Sequence, residues 1–201
     1  MELDESKLIE LSKSGNAEAF EELALKYEKQ VYTIAYRFMG NYEDACDLAQ
    51  ETFIKAFKSI RGFRGDASFK TWIFHIVTNV CRDELRKRKK RQVISLDAPL
   101  FTEEGELSRQ AEDWTYSPER IYEGKEGQEI VQKMLDSLAP EYREVLIMRE
   151  LQSFSYDEIA KKLNCTLGTV KSRLNRARKA MKDLVLAKQE LFSESYRLIS
   201  K

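Results

Sequence analysis

Residues 93–117 carry no apolar repeat, and they interrupt a chain that on both sides repeats its apolar residues at three- and four-residue steps. A structureless stretch longer than about 20 residues is uncommon inside a compact domain. The break therefore predicts an all-α chain of two small helical domains: an N-terminal helical bundle over 1–92, an extended acidic linker over 93–123, a four-helix C-terminal domain over 124–187 and a tail over 188–201. Length permits this, since 201 residues suffice for two small domains. Composition agrees with it: 34% charged, 42% apolar and 3 prolines describe a hydrated helical protein rather than a disordered one.

In the first half, Phe20, Leu23, Ala24, Tyr27, Val31, Ile34, Ala35 and Phe38 form the stripe of an amphipathic helix, closed by Gly40. Asn41 is placed to cap a second helix through Ala45, Leu48, Ala49, Phe53, Ala56, Phe57 and Ile60, ending at Arg61-Gly62. A glycine-bearing loop, Gly62 to Ser68, leads to a third helix with Trp72, Ile73, Ile76, Val77, Val80 and Leu85 on one side and a basic far end.

The second half opens at Ser117-Pro118, a cap followed by proline at the first helical position. Four short helices follow. The third begins with a capping box, Ser155 and Glu158, and is joined to the fourth through only Asn164-Cys165, with Thr166 as the next cap. The fourth would bury Val170, Leu174, Ala177, Met181 and Leu184 and present Lys171, Ser172, Arg173, Asn175, Arg176, Arg178 and Lys179 elsewhere. Two short helices, a tight turn and a basic outer face describe a helix-turn-helix. Arg and Asn on such a helix can read base edges in the major groove while Lys and Ser hold phosphates. The bland alternative is a solvated basic helix in an unrelated bundle.

Net charge is zero, but charge is sorted into blocks. Arg82, Arg86, Lys87, Arg88, Lys89, Lys90 and Arg91 crowd the end of the third helix, whereas acids dominate 93–123. The basic end is either a phosphate-binding surface or a solvated terminus favoured by the helix dipole. Phe63, Phe69, Trp72, Phe74 and His75 stand beside it; most of these rings suit a core, yet aromatics next to positive charge are also what unpaired bases stack on. On the second helix Asp44, Asp47 and Glu51 share one face, which suits protein docking or plain hydration better than a metal, since no histidine joins them. His75 reads as a core or rim residue.

Cys46, Cys81 and Cys165 are odd in number and widely spaced, which suggests neither a disulfide framework nor a zinc site. No apolar run approaches the ~20 residues that span a bilayer, and the start Met1-Glu2-Leu3-Asp4-Glu5 lacks a signal peptide's pattern. The expectation is a cytoplasmic protein with no membrane insertion of its own.

Three stretches, Asp47 to Phe57, Phe63 to Trp72 with Asn79, Arg82 and Asp83, and Ser155 to Ala160 with Gly168 to Arg178, closely resemble the extracytoplasmic-function (ECF) group of bacterial sigma factors, a branch of the sigma-70 family. The resemblance covers nearly the whole chain. It implies a non-enzymatic subunit, without metal or cofactor, that directs core RNA polymerase to promoters and assists melting. By the same resemblance Asp47, Gln50, Glu51 and Lys55 would dock on the clamp helices of the polymerase large subunit. Phe63, Arg64, Asp66, Ser68, Phe69, Lys70, Trp72, Asn79, Arg82 and Arg86 would recognise the minus-ten element, capturing a flipped base. Thr169, Lys171, Ser172, Arg173, Asn175, Arg176 and Lys179 would meet the minus-thirty-five duplex. The flap of the other large polymerase subunit is a further implied partner, as is a cognate anti-sigma protein, in many members membrane-bound. In the family the linker threads toward the polymerase active-site channel.

Two rivals stand beside this reading. A stand-alone helix-turn-helix regulator would use the N-terminal bundle for ligand sensing or dimerisation. A metal-dependent nuclease would use Asp44, Asp47 and Glu51.

Overall fold

The computed structural model describes residues 4–96 and 118–199, with side chains over 4–91 and 127–187. Eight α-helices run through these residues: α1 Glu5–Lys13, α2 Ala17–Met39, α3 Tyr42–Ser59, α4 Phe69–Leu96, α5 Pro118–Asp136, α6 Pro140–Glu150, α7 Tyr156–Leu163 and α8 Leu167–Ile199. A 3₁₀ turn at Ile60–Gly62 follows α3. Among the described residues there is no strand. Most of the expected linker lies outside the described residues, but its two ends are helical, since α4 runs through Leu96 and α5 starts at Pro118. The tail continues α8 as far as Ile199.

In the first half, Asn16 caps α2 by accepting the Ala19 amide hydrogen at 2.9 Å. The stripe Phe20, Leu23, Tyr27, Val31, Ile34, Ala35 and Phe38 is buried throughout. Gly40 ends α2 with φ +80°, and a side chain there would also press on the Asp136 carboxylate of α5, 3.1 Å from its Cβ position. Asn41 accepts the Asp44 amide at 2.9 Å and so starts α3 at once. The buried face of α3 is small (Ala45, Leu48, Ala49, Thr52, Ala56), which lets α2 and α3 approach closely. Phe57, expected inside, is 41% exposed and leans on Phe20 at 5.1 Å between ring centroids. Helix α1 has no counterpart in the sequence reading; fully buried Leu8, and Glu5 accepting from the Tyr27 hydroxyl at 2.8 Å, tie it to α2.

The second half centres on α6, whose Val145, Leu146, Ile147 and Met148 are all buried. A helix apolar on every side must be enclosed. Here α8, α7 and α2 surround it. Ser155 and Glu158 form the capping box of α7, Asn164 turns the chain at φ 49°, and Thr166 accepts the Thr169 amide at 3.2 Å to begin α8. Val170, Leu174 and Ala177 are buried, while Met181 and Leu184 are half-buried.

The two halves are packed together. Arg37 of α2 donates to the Gln132 side chain and the Gln128 carbonyl of α5 at 3.1 and 3.0 Å. The face of α4 that carries His75, Thr78, Asn79 and Arg82 meets α6, α7 and the loop between them.

Candidate nucleic-acid and polymerase interfaces

The loop from Gly62 to Ala67, with Trp72 and His75 of α4, walls an open hollow of about 250 Å³. Its floor is an aromatic stack in which Phe63 and Phe69 lie 5.1 and 5.4 Å from Trp72. Phe69 is 1% exposed and also packs on Tyr27, so the DNA contact expected of it becomes a supporting role beneath the loop. Phe63 is 8% exposed and meets the hollow with one edge. Trp72 is half-buried. Arg64 and Asp66 are exposed and pair with each other at 3.1 Å. Ser68 caps α4, accepting the Thr71 amide at 3.1 Å, and is thus a builder of the loop. Exposed Lys70 lies over the Phe74 ring.

Seven to fourteen residues along the helix from Ser68, the polar members of α4 are engaged by the chain itself. Lys162 Nζ of α7 donates to Asn79 Oδ1 at 3.2 Å. Arg82 Nε donates to the Glu144 carboxylate of α6 at 2.6 Å, and its Nη1 donates to the Lys162 carbonyl. The Thr78 hydroxyl meets the Phe74 carbonyl at 2.6 Å and Gln152 Oε1 at 2.9 Å, and both Thr78 and Gln152 are buried. One hydroxyl proton cannot serve two acceptors, while Gln152 Nε2 has no partner. Turning the carboxamide over lets Nε2 donate to Thr78 Oγ1, which leaves the hydroxyl proton for the Phe74 carbonyl. His75 lies against Phe154 with ring centroids 4.4 Å apart and 3.9 Å from a Glu158 oxygen. Burial lowers its pKa, Lys162 adds to the effect and Glu158 opposes it. Lys162 is brought down to about 8, by burial first and then by Arg82, against the pull of Glu158. Glu144 is raised by burial even though Arg82, Arg173 and Arg86 favour its charge. Arg86 itself is exposed and 3.7 Å from Asp83.

Helix α8 presents a different picture. Lys171, Ser172, Asn175, Arg176 and Lys179 are exposed on α8, opposite the buried stripe. Ser172 donates to the Thr169 carbonyl at 3.0 Å, and the Thr169 hydroxyl pairs with that of Thr166 at 2.9 Å. Arg176 reaches the Tyr142 hydroxyl at 3.3 Å, and Arg173 is half-buried. Arg178, at the surface, is paired within the chain, donating to Glu150 at 2.7 Å.

On α3, Asp47 and Gln50 are exposed and Glu51 pairs with Lys55 at 2.7 Å. Asp44 turns away from them to Arg88 of α4. That arginine, with help from Asn41, holds the Asp44 carboxyl below its ordinary pKa. The three carboxylates expected on one face therefore do not act as a set, and among the described residues no His/Cys/Asp/Glu group could hold a metal ion. Cys81 is buried, and desolvation pushes its thiol up to about 12.

Residues 23–91, which contain the hollow and the acidic face, match the family model for sigma-70 region 2, and residues 128–181, which contain the helix-turn-helix, match that for sigma-70 region 4. The RNA polymerase sigma-H factor of Pseudomonas aeruginosa is 35% identical over 181 residues, 88% of this chain and 91% of its own. The ECF RNA polymerase sigma-E factor of Escherichia coli K12 is 32% identical over 188 residues, 92% of this chain and 95% of its own. This chain belongs to the ECF sigma factors. Among solved structures, the sigma factor RpoE of Bartonella quintana in complex with the anti-sigma factor NepR is 26% identical with a TM-score of 0.58, covering 83% of this chain and 96% of that one. CnrH, in complex with the cytosolic domain of CnrY, shares the fold at 24% identity, with a TM-score of 0.58 over 90% of this chain and 96% of its own.

This sigma factor is a transcription initiation factor that directs RNA polymerase to promoters, and it is not an enzyme. The nuclease reading is thereby set aside, and the stand-alone regulator reading gives way because the N-terminal half is region 2 rather than a sensor domain. No described helix is long and apolar enough to cross a membrane. Glu144, Gln152, Phe154 and Lys162, which meet the α4 face, were not singled out in the sequence. Nothing local marks them, because their role depends on which surface of the first half they face.

Proposed function

We propose that the exposed segment of α3, with Asp47, Gln50, Glu51 and Lys55, docks on the clamp helices of the polymerase large subunit. The hollow at the α3–α4 loop then takes a flipped base of the non-template minus-ten strand. Phe63 and Trp72 supply its apolar wall and Arg64 and Asp66 its polar rim, while Lys70, Asn79, Arg82 and Arg86 hold the strand alongside. The α8 face reads the minus-thirty-five duplex through Lys171, Ser172, Arg173, Asn175, Arg176 and Lys179, with Thr169 ordering the first turn. The second half also meets the flap of the other large subunit.

Melting needs no chemical step from this subunit. Unstacking a base costs a few kcal/mol, and stacking in a fitted pocket, worth about 1–3 kcal/mol per base, offsets much of it. The observation that carries the reading is the hollow itself: an aromatic-walled recess of base size, open to solvent, at the start of the helix whose far end is basic. A cognate anti-sigma protein, held at the membrane in the manner common to the group, is the regulatory partner. Support comes from the similar folds that were solved bound to NepR and to the cytosolic domain of CnrY.

The test is transcription by purified core polymerase on a library of random upstream sequences, with and without the protein. Specific starts sharing two upstream motifs are expected. Asp47→Lys with Glu51→Lys should abolish them by placing like charge against the docking surface, while leaving the thermal unfolding curve unchanged. Starts that persist with the doubly reversed protein would remove the docking assignment.

A further inference from the structure

His75, Thr78, Asn79 and Arg82 fall at steps of three, one and three along α4 and form a single stripe. Every one of them is met by the second half of the chain, through Phe154, Gln152, Lys162 and Glu144 respectively. The partner of Arg82 is a carboxylate, 2.6 Å from Nε, on a side chain 20% exposed. It stands where a backbone phosphate would bind an arginine: a compact anion accepting charge-assisted hydrogen bonds from a guanidinium. Its field also reaches Arg86 on α4 and Arg173 on α8, so one acid faces basic residues of both DNA-reading surfaces.

We infer that Glu144 is a built-in phosphate mimic that, together with Gln152 and Lys162, holds the free sigma factor in a closed form with its α4 strand-holding face occupied. This rests on the proposed role of Arg82 in holding the minus-ten strand. The occupant is the chain's own α6–α7 segment. Single-stranded DNA must displace Glu144 to reach Arg82, so the free protein binds it weakly, and separation of the two halves on polymerase frees the face. A binding-competent state that is only fractionally populated lowers apparent affinity by that fraction.

The experiment uses the full chain and a fluorescein-labelled pool of random 12-residue single-stranded DNA, with small-angle scattering on the same samples. Glu144→Gln keeps an acceptor for Arg82 but removes the charge; Gln152→Ala loosens the contact independently. Each should expand the scattering envelope and tighten DNA binding, by about tenfold for Glu144→Gln. Glu141→Gln, an exposed acid on the same helix, controls for the loss of one negative charge and should do neither. Unchanged scattering and unchanged affinity in both Glu144→Gln and Gln152→Ala would overturn the proposal, as would expansion without a gain in affinity, or an equal gain in Glu141→Gln. Adding Arg82→Ala to Glu144→Gln should return binding to the wild-type level. If the gain survives that change, the closed form stands and the assignment of Arg82 to the strand fails.

Discussion

The two surfaces proposed to read DNA differ in how the free chain treats them. On α8, five basic or polar residues stand exposed above a buried stripe and spend few bonds on the rest of the fold. On α4, Asn79 and Arg82 are bonded to α6 and α7, and the threonine between His75 and Asn79 is buried. The contrast shows that one basic helix leaves its outer face open, while the other has part of its polar face engaged within the chain. A substitution on α4 should therefore change stability and DNA binding together, whereas one on α8 should change DNA binding alone.

Arg82→Ala is expected to show the largest effect on stability. It strands Glu144, whose side chain is 20% exposed, opposite the lost guanidinium, itself 15% exposed. Breaking one side of a buried pair leaves an uncompensated charge, and partial exposure puts the cost near the low end, at about 3 kcal/mol. Chemical denaturation should register it as a lower midpoint; an unchanged midpoint would mean the halves are not held together through this pair. On α8, Asn175→Ala should leave the midpoint within about 0.5 kcal/mol of the wild type. It should nonetheless weaken binding to the minus-thirty-five duplex by about 1–2 kcal/mol if it reads an adenine. Lys171→Ala should lower the slope of log affinity against log salt by roughly one, uniformly across sequences. A loss of stability in either α8 variant would erase the distinction between the two surfaces.

Smaller still is the effect at the cap that starts α7. Ser155→Ala removes the oxygen that accepts the Glu158 amide at 3.2 Å, and the hydroxyl that donates to the Glu158 carboxylate at 2.7 Å. A lost cap costs about 1 kcal/mol. Hydrogen exchange of α7 amides should speed up accordingly while that of α2, in the other half, stays as it was.

What could be read from the sequence was what local chemistry decides. The stripe of α2, the Asn41 cap, the Ser155–Glu158 box and the tight turn at Asn164 each follow from a few neighbouring residues, and each is present as expected. The candidate residues on α8 were legible for the same reason, since a helical period separates the buried stripe from the outward face. Phe69 was not: an aromatic in a loop-to-helix junction can face strand or core, and it is Tyr27, from α2, that with Trp72 of its own helix places it inside. Asp44 was misplaced among its acidic neighbours because the arginine that claims it, Arg88, is on a different helix. Helix α1 escaped notice because its nine residues bury only Leu8 and Ser12, too few for a period to register. The packing of the second half on α4 depends on surfaces more than 60 residues apart in the chain, and no spacing rule reports that.

The smallest expected effect, and the one that separates the two surfaces by titration alone, concerns Lys162. Packed against α4 beside Arg82, it is brought by burial down to about 8, from an ordinary 10.5. Below pH 8 both folded and unfolded chains carry its proton, so the cost of burying the charge is constant. Between about 8 and 10.5 the unfolded chain holds more protons than the folded one, so stability rises with pH. His75, also lowered by burial and by Lys162 against the pull of Glu158, acts in the same direction at lower pH, below its ordinary 6.5. Cys81 works the other way, since burial pushes its thiol up to about 12 from an ordinary 9.0, so stability falls as pH rises above about 9. The clean window is thus pH 7.5 to 9. Across it the wild-type melting temperature should climb slightly, and Lys162→Met, which keeps the length of the stem but cannot titrate, should flatten the climb. Lys171→Met on the exposed face of α8 should leave it intact. A climb that survives in Lys162→Met would place its origin away from the α4 contact.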